Sequence, residues 1–291
     1  MRVTDDGRGA LVDDIPMTQT APSPAHPVQQ RYADPATEIP GEWNPVLEVL
    51  HAHKSVRRYL PDPVSPATIR LLVSAAQSAA TSSNLQVWSV IEVRDPARRA
   101  RLAAIAGGQA HIEQAPVLLV WTADFARLRQ LADDHGAPLE GADYLESSYV
   151  GFVDAALAAQ NAVVAAESLG LGTVYIGALR NDPEAVAAEL NLPEHVFAVF
   201  GLVVGHPDPA EGTRVKPRLP QAAVLHHETY DLPVQREPIA EYEQRIGEIY
   251  TDQGLPFSWT ERTLARLASA ASLNGRHRLR ESLAARGFRL H

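Results

Sequence analysis

The chain has no cysteine among its 291 residues. Disulfides, thiolate zinc sites, iron–sulfur clusters and cysteine nucleophiles are therefore excluded, and redox chemistry would need a borrowed cofactor. The glycine-rich nucleotide fingerprints G-x-G-x-x-G and the Walker loop are also missing, as are H-E-x-x-H and G-x-S-x-G. Rossmann dehydrogenases, P-loop NTPases, zincins and α/β-hydrolases thus lack their signatures. The pairs His51 with His53 and His226 with His227 have no partners at metal-ligand spacing, so no metal is expected. Positive charge is in deficit: the net charge of −9 argues against a nonspecific grip on nucleic acid or on an anionic membrane. Any phosphate must be held locally. No unbroken apolar run approaches the roughly 18 residues of a spanning helix, and the N-terminus MRVTDDGRGALVDDIPMTQT has no signal-peptide core. The expected compartment is the cytoplasm, with no membrane partner.

What is present is a chain with 45% hydrophobic residues, enough for one sizeable core. Residues 1–40 carry Pro16, Pro22, Pro24, Pro27, Pro35 and Pro40 among small and polar side chains. They are expected to form a disordered arm, because too little apolar surface is on offer to offset chain entropy. Residues 41–291 are expected to form one domain, with a helical excursion over 238–291 and a basic tail after Gly275. Helical patterns cover PVLEVLHAHKSV, ATIRLLVSAAQSAA, 96–106, 148–169 and 183–190, and strand patterns cover VWSVIEV, APVLLVWTA, GTVYIG and VFAVFGLVVG. The fold class is α+β, a sheet layered with helices. Over Tyr149–Leu169 the polar side chains are only Asp154, Gln160, Asn161, Glu167 and Ser168. Such a helix is buried nearly all round, either inside a monomer or between the sheet and a second subunit.

Five short motifs carry potential chemistry. His53-Lys54-Ser55-Val56-Arg57-Arg58-Tyr59 gathers cations and a hydroxyl at a helix end, which suits a phosphate or is a solvated basic turn. Thr81-Ser82-Ser83-Asn84, with Gln86 after it, is a polar loop able to line a planar ligand, or simply a loop. Gly107-Gly108-Gln109 reads first as a helix C-cap. Tyr175-Ile176-Gly177-Ala178-Leu179-Arg180 ends a strand where small residues admit close approach, with Asn181 or Asp182 as the next N-cap and Pro183 at N1. Lys216-Pro217-Arg218-Leu219-Pro220 is a stiff loop bearing two cations.

In that order, HKSVRRY, ATSSNLQ, GGQAHI, YIGALRN and KPRLP resemble the flavin-dependent nitroreductase family, in the branch of the oxygen-insensitive NADPH nitroreductases and NADPH-flavin oxidoreductases. The resemblance runs from about His51 to the C-terminus and is densest over AAQNAVVAAESLGLGTVYIGALRN. It implies a three-layer fold with a central mixed sheet between helices, and a homodimer with FMN at the subunit interface. His53, Lys54, Ser55, Arg218 and Lys216 would hold the FMN phosphate, and Arg57 would sit by the pyrimidine end of the ring. Thr81, Ser82, Ser83 and Gln86 would line the ring and ribityl chain. Gln109 would touch the ring edge, with Tyr175, Ile176, Gly177, Ala178, Leu179 and Arg180 running along the flavin. The implied activity is ping-pong transfer of two electrons from NADPH (or NADH) through FMN to small oxidants: nitroaromatics, quinones or free flavin. No dedicated acid or base residue is implied. An FMN storage or sensor protein, or a same-fold reductive dehalogenase, is the alternative. Three features depart from the branch. Lys54 stands where Arg is usual, TDQGLPFS has no Lys or Arg for the 2′-phosphate of NADPH, and the proline-rich arm has no counterpart.

Overall fold

The computed structural model describes residues 25–251, 254 and 257–291. In chain order the helices are α1 (Pro27–Tyr32), α2 (Pro45–Ala52), α3 (Pro66–Gln77), α4 (Pro96–Ile105), α5 (Ala110–Gln114), α6 (Ala126–His135), α7 (Leu145–Ser168), α8 (Pro183–Glu189), α9 (Arg236–Thr251), α10 (Trp259–Leu267) and α11 (Leu279–Ala285). The strands are β1 (Trp88–Val93), β2 (Val117–Asp124), β3 (Gly172–Ile176) and β4 (Val196–Gly205). Five helices begin on one local device, a polar cap followed by proline. His26, Asn44, Ser65, Asp95 and Asp182 accept N–H groups of the first turn, while Pro27, Pro45, Pro66, Pro96 and Pro183 occupy a position where no N–H is needed.

The sheet order is β1-β2-β4-β3, and each of its ladders is antiparallel. The parallel component of the expected mixed sheet is a single bridge, Ser55 to Thr173. β2 and β4 are central and buried along almost their whole length, because helices cover both faces. On one face Leu118, Val120 and Val203 meet Leu102, Ile112 and Val186 of α4, α5 and α8. On the other, Leu119, Trp121 and Leu202 meet Leu72 of α3 and the alanines of α7. The register slips between Trp121 and Thr122, leaving Val199 as the extra residue of a bulge in β4.

Helix α7 is long and apolar enough, by length and composition, to cross a membrane, although its sequence contains no unbroken apolar run of that length. Here it is a core helix: Ala155, Ala158, Ala159, Ala162 and Ala166 are buried. It is not buried all round, however. Tyr149, Val153 and Leu157, each one turn apart, are 63%, 39% and 43% exposed. The helix therefore presents an uncovered apolar stripe, which is not what an internal helix of a monomer shows.

Two segments depart from expectation. Residues 25–40 are ordered: α1 ends on a left-handed Ala33, and Val28 and Arg31 are buried. Composition misjudged this segment because polar contacts from Arg31 hold it, not apolar area. Residues 1–24 of the expected arm lie outside the described residues. The tail after Gly275 also folds back, with Leu283 and Phe288 buried against Phe125 and Phe197 at one end of the sheet.

Candidate functional site

The basic segment after α2 lies along the free edge of β3. Val56 N–H donates to the Thr173 carbonyl at 2.9 Å, and Tyr59 bridges to Pro207. Gly172 makes this approach possible, since a Cβ there would stand 2.8 Å from Val56. Val56 and Tyr59 are buried and anchor the segment, the Tyr59 hydroxyl donating to the Val56 carbonyl at 2.6 Å. Burial pushes the Tyr59 phenol well above its ordinary value. Lys54, Arg57 and Arg58 are left exposed.

Carboxylates from distant parts of the chain hold this segment in place. Glu167, at the end of α7, accepts from Thr173 Oγ1 at 3.1 Å and lies 2.7 Å from His53 Nδ1. The His53 ring is thereby oriented through one nitrogen. Glu211 accepts the backbone N–H of Arg57 at 3.0 Å and of Arg58 at 3.2 Å. Asp208 pairs with Arg58 Nε at 2.7 Å. These contacts fold the loop after β4 over the segment, and Ser55, Arg57, Glu211, Arg214, Lys216 and Tyr250 line one cavity of about 350 Å³.

Cations outnumber the single carboxylate, Glu211, among the residues lining this cavity. Lys216 is pushed below its ordinary pKa by burial first, then by Arg57, Arg218 and Arg262. Among the described residues, Lys54, Arg57, Lys216 and Arg218 form no ion pair with a carboxylate. Beside Arg57 lies His111, whose pKa burial lowers first and Arg57 second. His111 Nε2 is buried with no hydrogen-bond partner. Gathered like charges and an orphaned buried ring nitrogen fit a polyanionic ligand with polar groups of its own, and a phosphorylated planar cofactor has both.

The remaining motif residues are placed unequally. Gly107 and Gly108 both have positive φ and cap α4, while Gln109 is half-buried and donates to the Ala106 carbonyl at 2.8 Å. At the end of β3 the Ile176 and Leu179 side chains belong to the core, so only their backbone is available. Tyr175 is exposed and packs edge-on to Phe200. Arg180 turns inward: its guanidinium packs on Gly177 and donates to the carbonyl of Val199, the bulged residue of β4. That contact explains Arg180 structurally.

Thr81, Ser82, Ser83 and Gln86 sit elsewhere. Their loop is tied to buried Asp154 of α7, which accepts from Thr81 Oγ1 at 2.5 Å and Ser82 N–H at 3.1 Å. Ser83, Asn84 and Gln86 all have left-handed φ, strain of the kind found at functional loops. His53 contacts Glu167, so the two motifs are separated along α7 by about 20 Å at the helical rise. One chain does not bring them together. Sequence reasoning missed Arg31, His111, Asp154, Glu167 and Glu211, which act through contacts with no local signal.

The fold and site together define a class, an α+β protein with a cation-lined cavity beside the edge of its sheet. Comparison with known proteins supplies the particular family. The nitroreductase family model matches residues 50–206, and the model of the nitroreductase family C-terminal domain matches residues 216–291. FMN reductase [NAD(P)H] of Bacillus subtilis is 47% identical over 188 residues, covering 64% of this chain and 75% of that protein. The oxygen-insensitive NADPH nitroreductase of Salmonella typhimurium is 41% identical over 211 residues, 72% of this chain and 85% of that one. The solved structure of B. megaterium NfrA2 superposes with a TM-score of 0.81 at 38% identity, spanning 86% of this chain and all of that one. The chain belongs to the nitroreductase family.

Proposed function

We propose that the chain is an FMN-dependent NAD(P)H oxidoreductase that reduces nitroaromatics, quinones or free flavin in two-electron steps. The observation that carries this reading is the cluster of Arg57, Lys216 and Arg218, none of them ion-paired among the described residues, together with the orphaned His111. Bound FMN supplies the hydride relay. His53, Lys54, Ser55, Lys216 and Arg218 would hold its phosphate, with Lys54 acting as a point charge. Arg57, whose backbone Glu211 fixes, provides positive charge for the part of the ring that becomes negative on reduction. Gln109, Tyr175 and the Gly177–Ala178 backbone would flank the ring. Donor and acceptor would use one open face in turn, which is ping-pong kinetics. A cytoplasmic setting, where reduced nicotinamides are found, goes with this reading.

The working unit is a homodimer. Asp154 and Glu167 carry the two separated motif groups, and Gln160 lies midway between them on α7. A two-fold axis near Gln160 relating two antiparallel copies of α7, with the exposed Leu157 close to the axis, would set the Thr81–Gln86 loop of one copy beside the His53–Arg57 segment of the other. Each FMN would then touch both subunits.

The test is an absorption spectrum of the purified protein followed by anaerobic titration with NADPH and NADH. A bound flavin that bleaches rapidly is expected. A protein still colourless after incubation with FMN would refute the cofactor, and bound flavin that neither nicotinamide bleaches would make the chain a storage protein instead.

A further inference from the structure

We propose that Arg31, from the segment before the family-matched region, is a positioning residue for the cofactor phosphate. This rests on the FMN reading above. The family model begins at residue 50, so α1 lies ahead of the family-matched region. Yet α1 docks on the phosphate-binding motifs themselves. Arg31 is 8% exposed. Its guanidinium donates to the carbonyls of His51 at 2.6 Å, His53 at 2.7 Å and Lys216 at 3.0 Å, and its own carbonyl accepts the Arg218 N–H at 2.9 Å. One side chain therefore ties the His53-Lys54-Ser55 segment to the Lys216-Pro217-Arg218 loop.

The His53-Lys54-Ser55 half of the proposed phosphate cradle is held against β3, but its spacing to the irregular Lys216-Pro217-Arg218 half needs a link between the two. A planar fork reaching three carbonyls on two segments supplies that constraint, and a lysine cannot reproduce it. Burial lowers the Arg31 pKa, and the neighbouring Arg218 lowers it further, with Glu167 opposing. A dianion bound on Lys216 and Arg218 relieves this repulsion. Phosphate binding and docking of α1 are consequently linked, each favouring the other.

The experiment compares FMN with riboflavin, which lacks the phosphate, by quenching of flavin fluorescence in the full-length chain and in Arg31→Gln and Arg31→Lys. The wild type is expected to prefer FMN. Both variants should lose about tenfold in FMN affinity, the scale of one charge-assisted hydrogen bond, while riboflavin affinity stays unchanged. Amide exchange over 28–32 should slow with FMN and not with riboflavin. An unchanged FMN-to-riboflavin ratio in both variants, or equal losses for both ligands, would overturn the role of Arg31. A wild type indifferent to the phosphate would overturn the cofactor site itself, and the proposal with it.

Discussion

Replacing Leu157 with glutamate tests whether the apolar stripe of α7 is where two copies meet. Leu157 is 43% exposed in the single chain and lies about one turn from Gln160, the midpoint between the two motif groups. In a two-fold interface each contact occurs twice, so every loss is counted twice. Covering the leucine side chain is worth about 1.5–3 kcal/mol when complete, so forfeiting its exposed part in both copies costs about 1.3–2.6 kcal/mol. Two glutamates brought together add like-charge repulsion. The dimer dissociation constant should therefore rise by roughly ten- to a hundredfold. Sedimentation velocity over a concentration series reads the change, and flavin binding read alongside should weaken in step, because each site draws on both subunits. Folding should be retained, since the position is solvent-facing in the monomer. A wild type that is monomeric with FMN bound, or an L157E variant that dissociates without losing FMN, would refute the reasoning.

Three other outcomes are expected. Asp154 presents a separate oxygen to Thr81 and to Ser82, and Asp154→Asn replaces one of them with an NH2 group, so urea unfolding should show a loss of about 1–3 kcal/mol together with weaker FMN binding. Lys216 begins below its ordinary pKa, and a bound dianion raises it. FMN affinity should thus fall as pH rises through that depressed value, earlier than an ordinary lysine would allow, and Lys216→Arg should flatten the profile measured by fluorescence titration. Arg262 lies over the Phe257 ring at 4.6 Å, Phe257 stacks on Tyr250 of the cavity wall at 4.2 Å, and Arg262 is near enough to depress Lys216. It supplies from α10 a cation that the preceding loop lacks. Arg262→Ala should raise the KM for NADPH severalfold and leave that for NADH unchanged, and equal effects on both donors would assign Arg262 a structural role.

Legibility in the sequence followed the range of the interaction. Strands such as VFAVFGLVVG were readable to the residue because both faces are buried and every position must be apolar. Helix starts were readable because the cap and its proline are neighbours. The cations of the site were visible as clusters, but what orients them was not: Glu211 lies 154 positions from Arg57, and nothing local marks it. Arg180 looked like a ligand residue because it closes a suggestive motif. Its partner, the Val199 carbonyl, exists only because the ladder slips opposite Trp121, and no local pattern announces that bulge. The loop TDQGLPFS was correctly seen to lack cations, yet residues 252, 253, 255 and 256 lie outside the described residues, and the nearest charge comes from the helix beyond.

The arm shows why composition is a poor guide where binding is polar. A segment short of large apolar residues is expected to stay disordered because burial cannot offset its entropy. Arg31 evades that argument, since three charge-assisted hydrogen bonds to carbonyls already fixed by the fold need little area. The same physics governs α7. Asp154 and Glu167, two of the few polar residues on an otherwise apolar helix, are where the loops of the site are tied down. Their spacing on a rigid helix would fix the separation of the two half-sites of the proposed dimer, and the exposed Leu157 lies between them. On that proposal one element sets both the distance to be bridged and part of the surface by which a second copy bridges it, so assembly and cofactor binding should be lost together.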